Sequence, residues 1–206
     1  MGVWAIVPVK PLRRGKSRLA GVLSEDERAL LNYSMLNNTL KVLREVPEIE
    51  ATLVISRDPS ALSLARANKA RTVQEDGSPE LNAAIRRATA VVQAYAAQGV
   101  LVLPADLPLI SATDLGVFLS HIGNPPEMVI APDRREDGTN ALYISPPGLI
   151  EYSYGPGSFM RHLHQAERFG IKHTVCRLPS FGLDLDLPED LDVLRIMEQS
   201  PIQISN

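Results

Sequence analysis

The sequence predicts an α/β protein with an open, largely parallel β-sheet covered by helices on both faces. Apolar runs typical of strands buried on both faces alternate along the chain with capped segments of helical periodicity. Strict alternation of strands and helices favours a parallel sheet, and such a sheet binds its ligands beyond the carboxyl ends of its strands. No repeat, low-complexity segment or linker interrupts the 206 residues, so one domain, 1–206, is expected.

The first half of the chain predicts four strands and three helices. The run VWAIVPV (3–9) is continuously apolar and predicts the first strand. The first helix opens at Ser24, because Ser24 and Glu27 have the spacing of a capping box. The elements that follow are a strand over 51–56, a helix over 59–68, a short strand over 71–74, a helix over 79–98 that Gly99 ends, and a strand over 100–106.

The second half predicts three more strands and three more helices. Ser111 caps the first of these helices, and Pro188 begins the last. In order, the elements are a helix over 111–122, strands over 128–133 and 140–145 around a polar loop, a helix over 156–170, a strand over 172–178 and a helix over 188–199. The loop after each apolar strand is the place where ligand-binding residues are expected.

Composition and charge exclude several classes of protein. The formal net charge is −3, so nonspecific nucleic-acid binding is not favoured. One cysteine, Cys176, allows no internal disulfide framework and fits a reducing compartment. No apolar run of about 18 residues predicts a membrane span, and the N-terminus lacks the charged region of a signal peptide. We therefore expect a cytoplasmic protein with neither nucleic acid nor membrane among its partners.

A basic loop follows the first strand, in the stretch PVKPLRRGKSRLAG (8–21). Its GKS matches the end of a Walker A phosphate loop, but Lys10 stands where that motif needs its first glycine, so the match fails. Five cations nevertheless fall within nine residues: Lys10, Arg13, Arg14, Lys16 and Arg18. Against an acidic background, this concentration of charge predicts a local anion site.

Asp106 ends the apolar strand of LPADLPLI, between Pro104 and Pro108. A turn or helix cap is the simpler interpretation of such an aspartate. Ser111 already supplies the next cap, however, and a carboxylate held at a strand end is well placed to bind a divalent cation. Both interpretations stay open for Asp106 taken alone.

A second acidic motif, LDLDLPEDL, covers residues 183–191. In an extended segment Asp184 and Asp186 point to the same side, while the leucines between and around them pack on the other. Two like charges this close repel unless a cation lies between them. Capping of the last helix explains Glu189 and Asp190, but it does not explain Asp184. With Asp106, the pair provides three carboxylates for one or two Mg²⁺ ions.

Two further loops have the chemistry of an anion site. REDGTNALYIS places Thr139 and Asn140 at the rim of an Asp-Gly turn, although a simple hairpin is the alternative. SYGPGSFMRH places Gly155 and Ser158 at a helix N-terminus, where free N–H groups and the helix dipole favour an anion. Ser158 as a plain N-cap is the alternative. The same helix carries His162 and His164, whose spacing does not suit a metal pair; both are interpreted as structural or solvent-facing.

Together, these motifs resemble the 2-phospho-L-lactate / phosphoenolpyruvate guanylyltransferase family of coenzyme F420 biosynthesis. The resemblance runs nearly end to end and rests on VPVKPLRRGKSRLA, LPADLPLI, DGTNALYI with YGPGSF, and LDLDLPEDL. It implies a three-layer α/β/α, Rossmann-like fold of the nucleotide-diphospho-sugar transferase type with a mainly parallel mixed sheet, akin to molybdenum-cofactor guanylyltransferases. It also implies Mg²⁺ as cofactor and transfer of GMP from GTP to phosphoenolpyruvate or 2-phospho-L-lactate, with release of pyrophosphate.

The resemblance also implies a role for individual residues. The residues implied to be catalytic are Lys16, Asp106, Asp184 and Asp186, and the three aspartates are the implied metal ligands. The implied nucleotide contacts are Lys10, Arg13, Lys16, Asn82 and Pro104, and the implied acceptor contacts are Thr139, Gly155 and Ser158. Two positions depart from the family pattern: Leu187 stands where threonine is frequent, and Glu80 where glycine is expected before the Leu-Asn pair.

Several alternatives stay open at the level of sequence. The Asp184-Leu-Asp186 motif also fits a D-x-D glycosyltransferase or another nucleotidyltransferase, and an inactive nucleotide-binding homologue would keep the same fold. The presence of all three aspartates argues against inactivity. The motifs do not choose among phosphoenolpyruvate, 2-phospho-L-lactate and 3-phosphoglycerate, nor between a monomer and a homodimer. The resemblance implies that the product passes to the next transferase of the F420 pathway.

Overall fold

The structure is a computed structural model that describes residues 2–76 and 80–199. Its first half contains, in order, β1 (Val3–Val9), a short 3-10 helix (Ser17–Leu19), α1 (Glu25–Glu45), β2 (Ile49–Ser56), α2 (Pro59–Ala67), β3 (Arg71–Gln74), α3 (Leu81–Ala94) and β4 (Gly99–Val102). Its second half contains α4 (Ala112–Ser120), β5 (Glu127–Pro132), β6 (Thr139–Ser145), α5 (Ser158–Arg168), β7 (Lys172–Val175), α6 (Pro179–Gly182) and α7 (Pro188–Gln199).

The seven strands form one sheet in the order β3-β2-β1-β4-β6-β5-β7. β6 runs antiparallel to both of its neighbours, β4 and β5, and every other pairing is parallel. The predicted mainly parallel mixed sheet is therefore confirmed. β1 lies between β2 and β4, so the chain reverses its direction of progress across the sheet at β1.

Alternate residues of β1 face two separate hydrophobic layers, as the period of a strand requires. Ala5 and Val7 pack into the layer that α1, α2 and α4 cover, whereas Trp4 and Ile6 pack into the layer that α3 and α5 cover. All four side chains are buried. The predicted three-layer α/β/α arrangement is confirmed by these two clusters.

The capping box of α1 is as the sequence predicts, and the cap of α2 is an additional finding. Ser24 and Glu27 form the reciprocal capping box at the start of α1. Asp58 caps α2 in front of Pro59 by accepting the N–H of Ser60. No helix among residues 2–76 and 80–199 has both the length and the apolar content to cross a membrane.

The helix predicted over 79–98 differs from the observed helix at both ends. Position 79 lies outside the described residues, and Glu80 caps α3 by accepting the N–H groups of Asn82 and Ala83. The helix ends at Ala94, and Ala96 follows in the left-handed region with φ of 55°. Gly99 does not end the helix as predicted, because it is already the first residue of β4.

Two predicted strands are shorter in the structure. The strand predicted over 100–106 ends at Val102, which is also the last residue that β4 pairs with β6. The strand predicted over 172–178 ends at Val175, where its pairing with β5 ends. Neither end carries a helix cap or turn residue directly after the last paired residue, Val102 or Val175, so the sequence pattern alone could not locate these ends. The short helix α6 was not predicted, although Pro179 stands at its first position as Pro59 and Pro188 do in α2 and α7.

Candidate active site

A cleft of about 600 Å³ opens beyond the carboxyl ends of β1 and β4. Its walls come from the loops after these two strands, the hairpin between β5 and β6, the loop before α5 and the segment before α7. Ligand sites of open α/β sheets form where the strand order reverses, as it does at β1. The cleft therefore lies where the sequence predicts a site.

Lys16 supplies a buried cation to this cleft. Its side chain is 6% exposed, and Nζ lies 2.9 Å from Oδ2 of Asp106 and 2.9 Å from Oδ1 of Asp186. Its backbone is left-handed, with φ of 58°, which is uncommon for a residue with a Cβ. Burial lowers the pKa of Lys16, but the charges of Asp106 and Asp186 outweigh burial and raise that pKa above its usual value. The ammonium is therefore held charged between two carboxylates.

The segment 183–186 has the alternation that the sequence predicts. Leu183 and Leu185 are buried, whereas Asp184 and Asp186 line the cleft. The N–H of Leu185 donates to the carbonyl oxygen of Asp106 at 3.1 Å. This backbone hydrogen bond fixes the segment beside the loop after β4, so three carboxylates reach the same wall of the cleft.

The pKa values of Asp184 and Asp186 are shifted in opposite directions, because Lys16 pairs with Asp186. Burial, together with the charge of Asp106, raises the pKa of Asp184 to about 6. Burial also acts to raise the pKa of Asp186, but the charge and hydrogen bond of Lys16 prevail and lower it. Asp184 is thus the carboxylate with the least compensation. No three carboxylate, histidine or cysteine side chains of the described residues already form a metal-binding group, and the metal role of the three aspartates stays a prediction.

Asp190 holds Asp186 in place, a role that the sequence did not reveal. Its Oδ2 accepts the N–H of Asp186 at 2.9 Å and the N–H of Leu187 at 2.6 Å. Its Oδ1 pairs with Arg134 at 2.5 Å, and the side chain is buried. Sequence reasoning treated Asp190 only as a charge in the first turn of α7. In the sequence, this backbone contact is indicated only by the spacing of four residues between Asp186 and Asp190.

The loop after β1 is anchored by two side chains from other elements. Oδ2 of Asp58 accepts the N–H of Leu12, and Nδ2 of Asn32 donates to the carbonyl of Leu12, both at 2.7 Å. Lys10 and Pro104 line the cleft, in agreement with their predicted places. The anchored loop therefore presents Lys10 and Lys16 to the same space.

Arg13 points away from this space. Its guanidinium, in a side chain that is 67% exposed, pairs with Glu25 at 3.3 Å and with Asp26 at 3.0 Å in the first turn of α1. These acidic residues hold Arg13 on the outer surface, so the predicted nucleotide contact of Arg13 has no support in the geometry. Arg13 contributes to the local charge of the loop instead.

The predicted acceptor residues line the same cleft from the hairpin and from the loop before α5. The Asp-Gly turn connects β5 and β6 as a hairpin, in agreement with the simpler interpretation of that motif. Thr139 and Ser158 line the cleft from buried positions, and Oγ of Ser158 donates to Oγ1 of Thr139 at 3.2 Å. The cap of α5 is Gly157, so Ser158 is not the N-cap that the alternative interpretation required. The hydroxyls of Thr139 and Ser158 therefore form one polar patch.

Gly155 has a conformational reason to be glycine. Its φ is +118°, which L side chains rarely adopt, and the space around a Cβ there holds only Nη2 of Arg161 at 3.8 Å. Arg161 wraps this loop by donating to the carbonyl groups of Ser153, Pro156 and Gly155. The loop before α5 is consequently fixed in shape while its cleft side stays open.

Asn82, which the resemblance implies to be a nucleotide contact, binds protein backbone in this structure. Its Oδ1 accepts the N–H of Tyr154 at 2.7 Å, and its Nδ2 lies 3.4 Å from the carbonyl of Tyr154. Both ends of the amide thus hold the loop before α5. The predicted structural role of His162 is confirmed, because its ring is buried and hydrogen-bonded, and His164 is exposed as predicted.

A reversed strand order, a buried lysine and a carboxylate cluster at one cleft define an α/β nucleotide-binding protein. Comparison with known proteins narrows this class. The model of the family described as "Guanylyl transferase CofC like" matches residues 3–200. The chain belongs to this family of guanylyltransferases, as the sequence motifs indicated.

Curated relatives carry two related names. A protein of Rubrobacter xylanophilus named phosphoenolpyruvate guanylyltransferase is 44% identical over 191 residues, which cover 93% of this chain and 92% of that protein. A protein of Methanocaldococcus vulcanius named 2-phospho-L-lactate guanylyltransferase is 34% identical over 187 residues, which cover 90% of this chain and 81% of that protein. Similarity to this chain therefore extends to relatives with either acceptor in their name.

Solved structures share the fold at low identity. A protein of Desulfovibrio desulfuricans G20, assigned as a nucleotide-diphospho-sugar transferase, aligns with a TM-score of 0.76 at 16% identity and covers 100% of this chain and 92% of its own. A 4-diphosphocytidyl-2C-methyl-D-erythritol synthase of Anaerococcus prevotii aligns with a TM-score of 0.65 at 11% identity and covers 97% and 96%. The predicted nucleotide-diphospho-sugar transferase type of fold is confirmed.

Proposed function

We propose that this protein transfers the guanylyl group of GTP to a phosphorylated three-carbon acid, phosphoenolpyruvate or 2-phospho-L-lactate, in coenzyme F420 biosynthesis. The observation that carries the proposal is the pairing of Lys16 with Asp106 and Asp186 on one wall of a cleft that Thr139 and Ser158 also line. Family membership and the names of the relatives support the choice of GTP and of the acceptor class.

The triphosphate of GTP is assigned to the wall formed by the loops after β1 and β4. Lys10 and Lys16 offer cationic side chains there, and Pro104 shapes the adjacent surface. Lys16 would leave its carboxylate partners in order to contact a phosphate, because its Nζ is now shared between Asp106 and Asp186. Arg18, which lies 3.8 Å from Asp186, adds charge at the same edge.

The carboxylates of Asp106, Asp184 and Asp186 fit a hard divalent cation, for which we propose Mg²⁺. Oxygen ligands suit this ion, and the ammonium of Lys16 already shows that two of the three carboxylates accept a cation between them. The raised pKa of Asp184 indicates that the third carries uncompensated charge. When bound, Mg²⁺ would supply charge neutralisation for the phosphates and for the leaving pyrophosphate.

Charge, and not proton transfer, is the requirement of the proposed reaction. A phosphate oxygen of the acceptor attacks the α-phosphorus of GTP, a new P–O bond forms, and the bond to pyrophosphate breaks. The second pKa of a phosphate monoester is about 6, so the attacking oxygen is already an anion at neutral pH and needs no general base. Lys16 lowers the repulsion between the two anions and stabilises the departing charge.

The acceptor is assigned to the patch of Thr139, Gly155 and Ser158. A phosphorylated carboxylic acid carries two anionic groups, and the side chains of Thr139 and Ser158 line the cleft where it would bind. The N–H groups at the start of α5 are not free for the acceptor, contrary to the sequence expectation: those of Gly157, Ser158 and Phe159 are accepted by Asp137 and by the carbonyl of Gly155. Asp137 shapes this loop from the hairpin, because its Oδ1 accepts the N–H of Gly157 at 3.0 Å. The hairpin and the loop thus act as one clamp.

The test is pyrophosphate release from GTP with phosphoenolpyruvate, 2-phospho-L-lactate and 3-phosphoglycerate in parallel reactions. The next transferase of the pathway is added to consume a labile product. CTP and ATP serve as matched donor controls, and Asp186→Asn serves as the inactive control. Release that depends on GTP and on one phosphorylated acid supports the proposal. Release with a sugar acceptor, or with CTP in preference to GTP, would instead support a glycosyltransferase or another nucleotidyltransferase.

A further inference from the structure

The hydroxyl of Thr139 has two buried hydrogen-bonding neighbours, of which Ser158 lines the cleft and His162 does not. Nδ1 of His162 lies 3.0 Å from Oγ1, and Oγ of Ser158 donates to the same Oγ1 at 3.2 Å. Both neighbours are buried, with His162 at 0% and Ser158 at 1% exposure. His162 does not itself line the cleft; its ring packs edge-on against Tyr154, with centroids 5.2 Å apart, and its hydrogen bond to a described residue of the cleft is the one with Oγ1 of Thr139.

One backbone contact determines which nitrogen of His162 carries the proton. The N–H of Ser153 donates to Nε2 at 3.0 Å, and a backbone N–H can only donate. Nε2 must therefore be the unprotonated nitrogen, which leaves the single proton of the neutral ring on Nδ1. A doubly protonated ring would set an N–H of His162 against the N–H of Ser153. Burial, with a smaller contribution from Arg161, lowers the pKa of His162 to about 4, in agreement with a neutral ring.

The tautomer of His162 determines the direction in which the hydroxyl of Thr139 can donate its hydrogen. With the proton on Nδ1, His162 donates to Oγ1, and Ser158 donates to it as well. A hydroxyl oxygen has two acceptor sites and one donor hydrogen, so both acceptor sites of Thr139 are filled. Among the described residues, no acceptor takes the remaining hydrogen of Thr139, and that residue lines the cleft. The hydroxyl is therefore set to donate into the cleft.

We propose that His162 is a positioning residue that makes the Thr139 hydroxyl an obligatory hydrogen-bond donor to an oxyanion of the acceptor. The inference rests on the proposed function, in which Thr139 faces a phosphate or carboxylate oxygen. A free hydroxyl can rotate and either donate or accept, so it discriminates poorly between an anion and a neutral group. A hydroxyl fixed as a donor favours an anion, because the bond to an ionised acceptor is the stronger one.

A matched pair of amide variants separates the two nitrogens of the ring. His162→Asn places an amide nitrogen near the position of Nδ1, so it retains a donor to Thr139. His162→Gln places an amide oxygen near the position of Nε2, so it retains the acceptor for Ser153 and loses that donor. We expect the KM for the acceptor to stay within about threefold for His162→Asn and to rise roughly 5- to 20-fold for His162→Gln, with the KM for GTP unchanged in both.

The tautomer in the native protein gives a readout that does not depend on activity. The chain has four histidines, and ¹⁵N NMR of the labelled rings reports which nitrogen of each carries the proton. Variants of His121, His164 and His173 assign the remaining signal to His162. A neutral ring with its proton on Nδ1 is the expected result, and a proton on Nε2 overturns the inference, even where both His162 variants fail to fold.

The outcomes separate this inference from the proposed function. If the wild-type protein releases pyrophosphate but the Gln and Asn variants have equal KM values for the acceptor, the inference is wrong and the proposed function stands. If the wild-type protein releases none with any phosphorylated three-carbon acid, the proposed function is wrong. The NMR tautomer, together with calorimetric binding of phosphoenolpyruvate to the same variants, then decides the role of His162: weaker binding by the Gln variant alone supports it, and equal binding overturns it.

Discussion

Replacement of Lys16 by methionine keeps the aliphatic part of the side chain, one heavy atom shorter, and removes the charge between Asp106 and Asp186. Nζ of Lys16 lies 2.9 Å from both Asp106 and Asp186, in a side chain that is 6% exposed, whereas the two carboxylates are 32% and 42% exposed. Exposed pairs contribute about 0–1 kcal/mol and loss of one partner from a fully buried pair costs about 3–5 kcal/mol, so this intermediate case is expected to cost about 1–3 kcal/mol of unfolding free energy.

Divalent cation should act differently on the variant and the wild-type protein. In the wild-type protein the ammonium of Lys16 occupies the space between Asp106 and Asp186, so Mg²⁺ must displace it in the absence of nucleotide. In Lys16→Met the three carboxylates face each other without that cation. At ten times its dissociation constant, Mg²⁺ would stabilise the variant by about 1.4 kcal/mol. The variant should therefore regain stability with Mg²⁺. Its GTP turnover should stay low, because the proposed contact of Lys16 with a phosphate is missing.

Thermal unfolding with and without Mg²⁺, in the absence of nucleotide, measures this difference. For a domain of this size, 1 kcal/mol corresponds to roughly 2–4 °C in Tm. Arg13→Met is the matched control, because it removes a cation from the same loop but from exposed pairs with Glu25 and Asp26. We expect a loss of less than about 1 kcal/mol and no response to Mg²⁺ from that control. An equal response of wild-type protein and Lys16→Met to Mg²⁺ would refute competition between the ammonium and the metal.

Three further predictions concern other parts of the cleft. Asp186→Asn should lower turnover at least about 100-fold while the circular dichroism spectrum stays unchanged, because it removes a proposed ligand charge from a partly exposed position; a loss below tenfold would contradict a ligand role. Ser158→Ala should raise the KM for the acceptor roughly 10-fold and leave that for GTP unchanged in steady-state assays. Gly155→Val should raise the KM for the acceptor more than Ser158→Ala does, because valine strongly disfavours a φ of +118°. A rise confined to the KM for GTP would instead assign this loop to the nucleotide. The pKa of His162 is lowered to about 4 from 6.5, chiefly by burial. The neutral ring of His162 thus contributes fully to the free energy of unfolding above pH 6.5. This contribution is lost as the pH falls toward 4, by at most about 3 kcal/mol. Urea unfolding of wild-type protein and His162→Asn across that range should show the steeper loss in the wild type.

Much of this fold follows from local patterns in the chain. A continuous apolar run such as 3–9 is sufficient to predict a buried strand, and the capping box at Ser24 fixes the start of α1. Asp106, Asp184 and Asp186 line one cleft, but the rule that carboxyl ends of parallel strands meet at one edge accounts for Asp106 alone. Asp184 and Asp186 follow α6 and not a strand. Ends of elements were less predictable, since β4 ends where β6 ceases to pair with it and not where its apolar run ends.

Contacts between residues far apart in the chain could not be predicted from local sequence patterns. Nothing near Lys16 indicates that its ammonium reaches Asp106 and Asp186, which lie 90 and 170 residues further along the chain. Nothing near Asn82 indicates that its amide holds Tyr154, 72 residues away. Such contacts depend on the order of strands in the sheet, which local periodicity does not encode. A motif therefore identifies the residues near a site more readily than the atom that each one touches.

The walls of the cleft share one device for holding their loops. In each case a side-chain oxygen accepts a backbone N–H of the loop, and the loop needs no ligand to keep its shape. The four pairs are Asp58 with Leu12, Asn82 with Tyr154, Asp137 with Gly157 and Asp190 with Asp186. Each of these side chains contacts loop backbone, and neighbouring residues are the ones proposed to contact substrate. The family motifs supply the groups proposed to contact substrate, and these four side chains set the distances between the loops that carry them. Because ordering a mobile loop would reduce affinity, a cleft whose walls are fixed in advance retains more of the binding free energy of GTP and acceptor for the reaction itself.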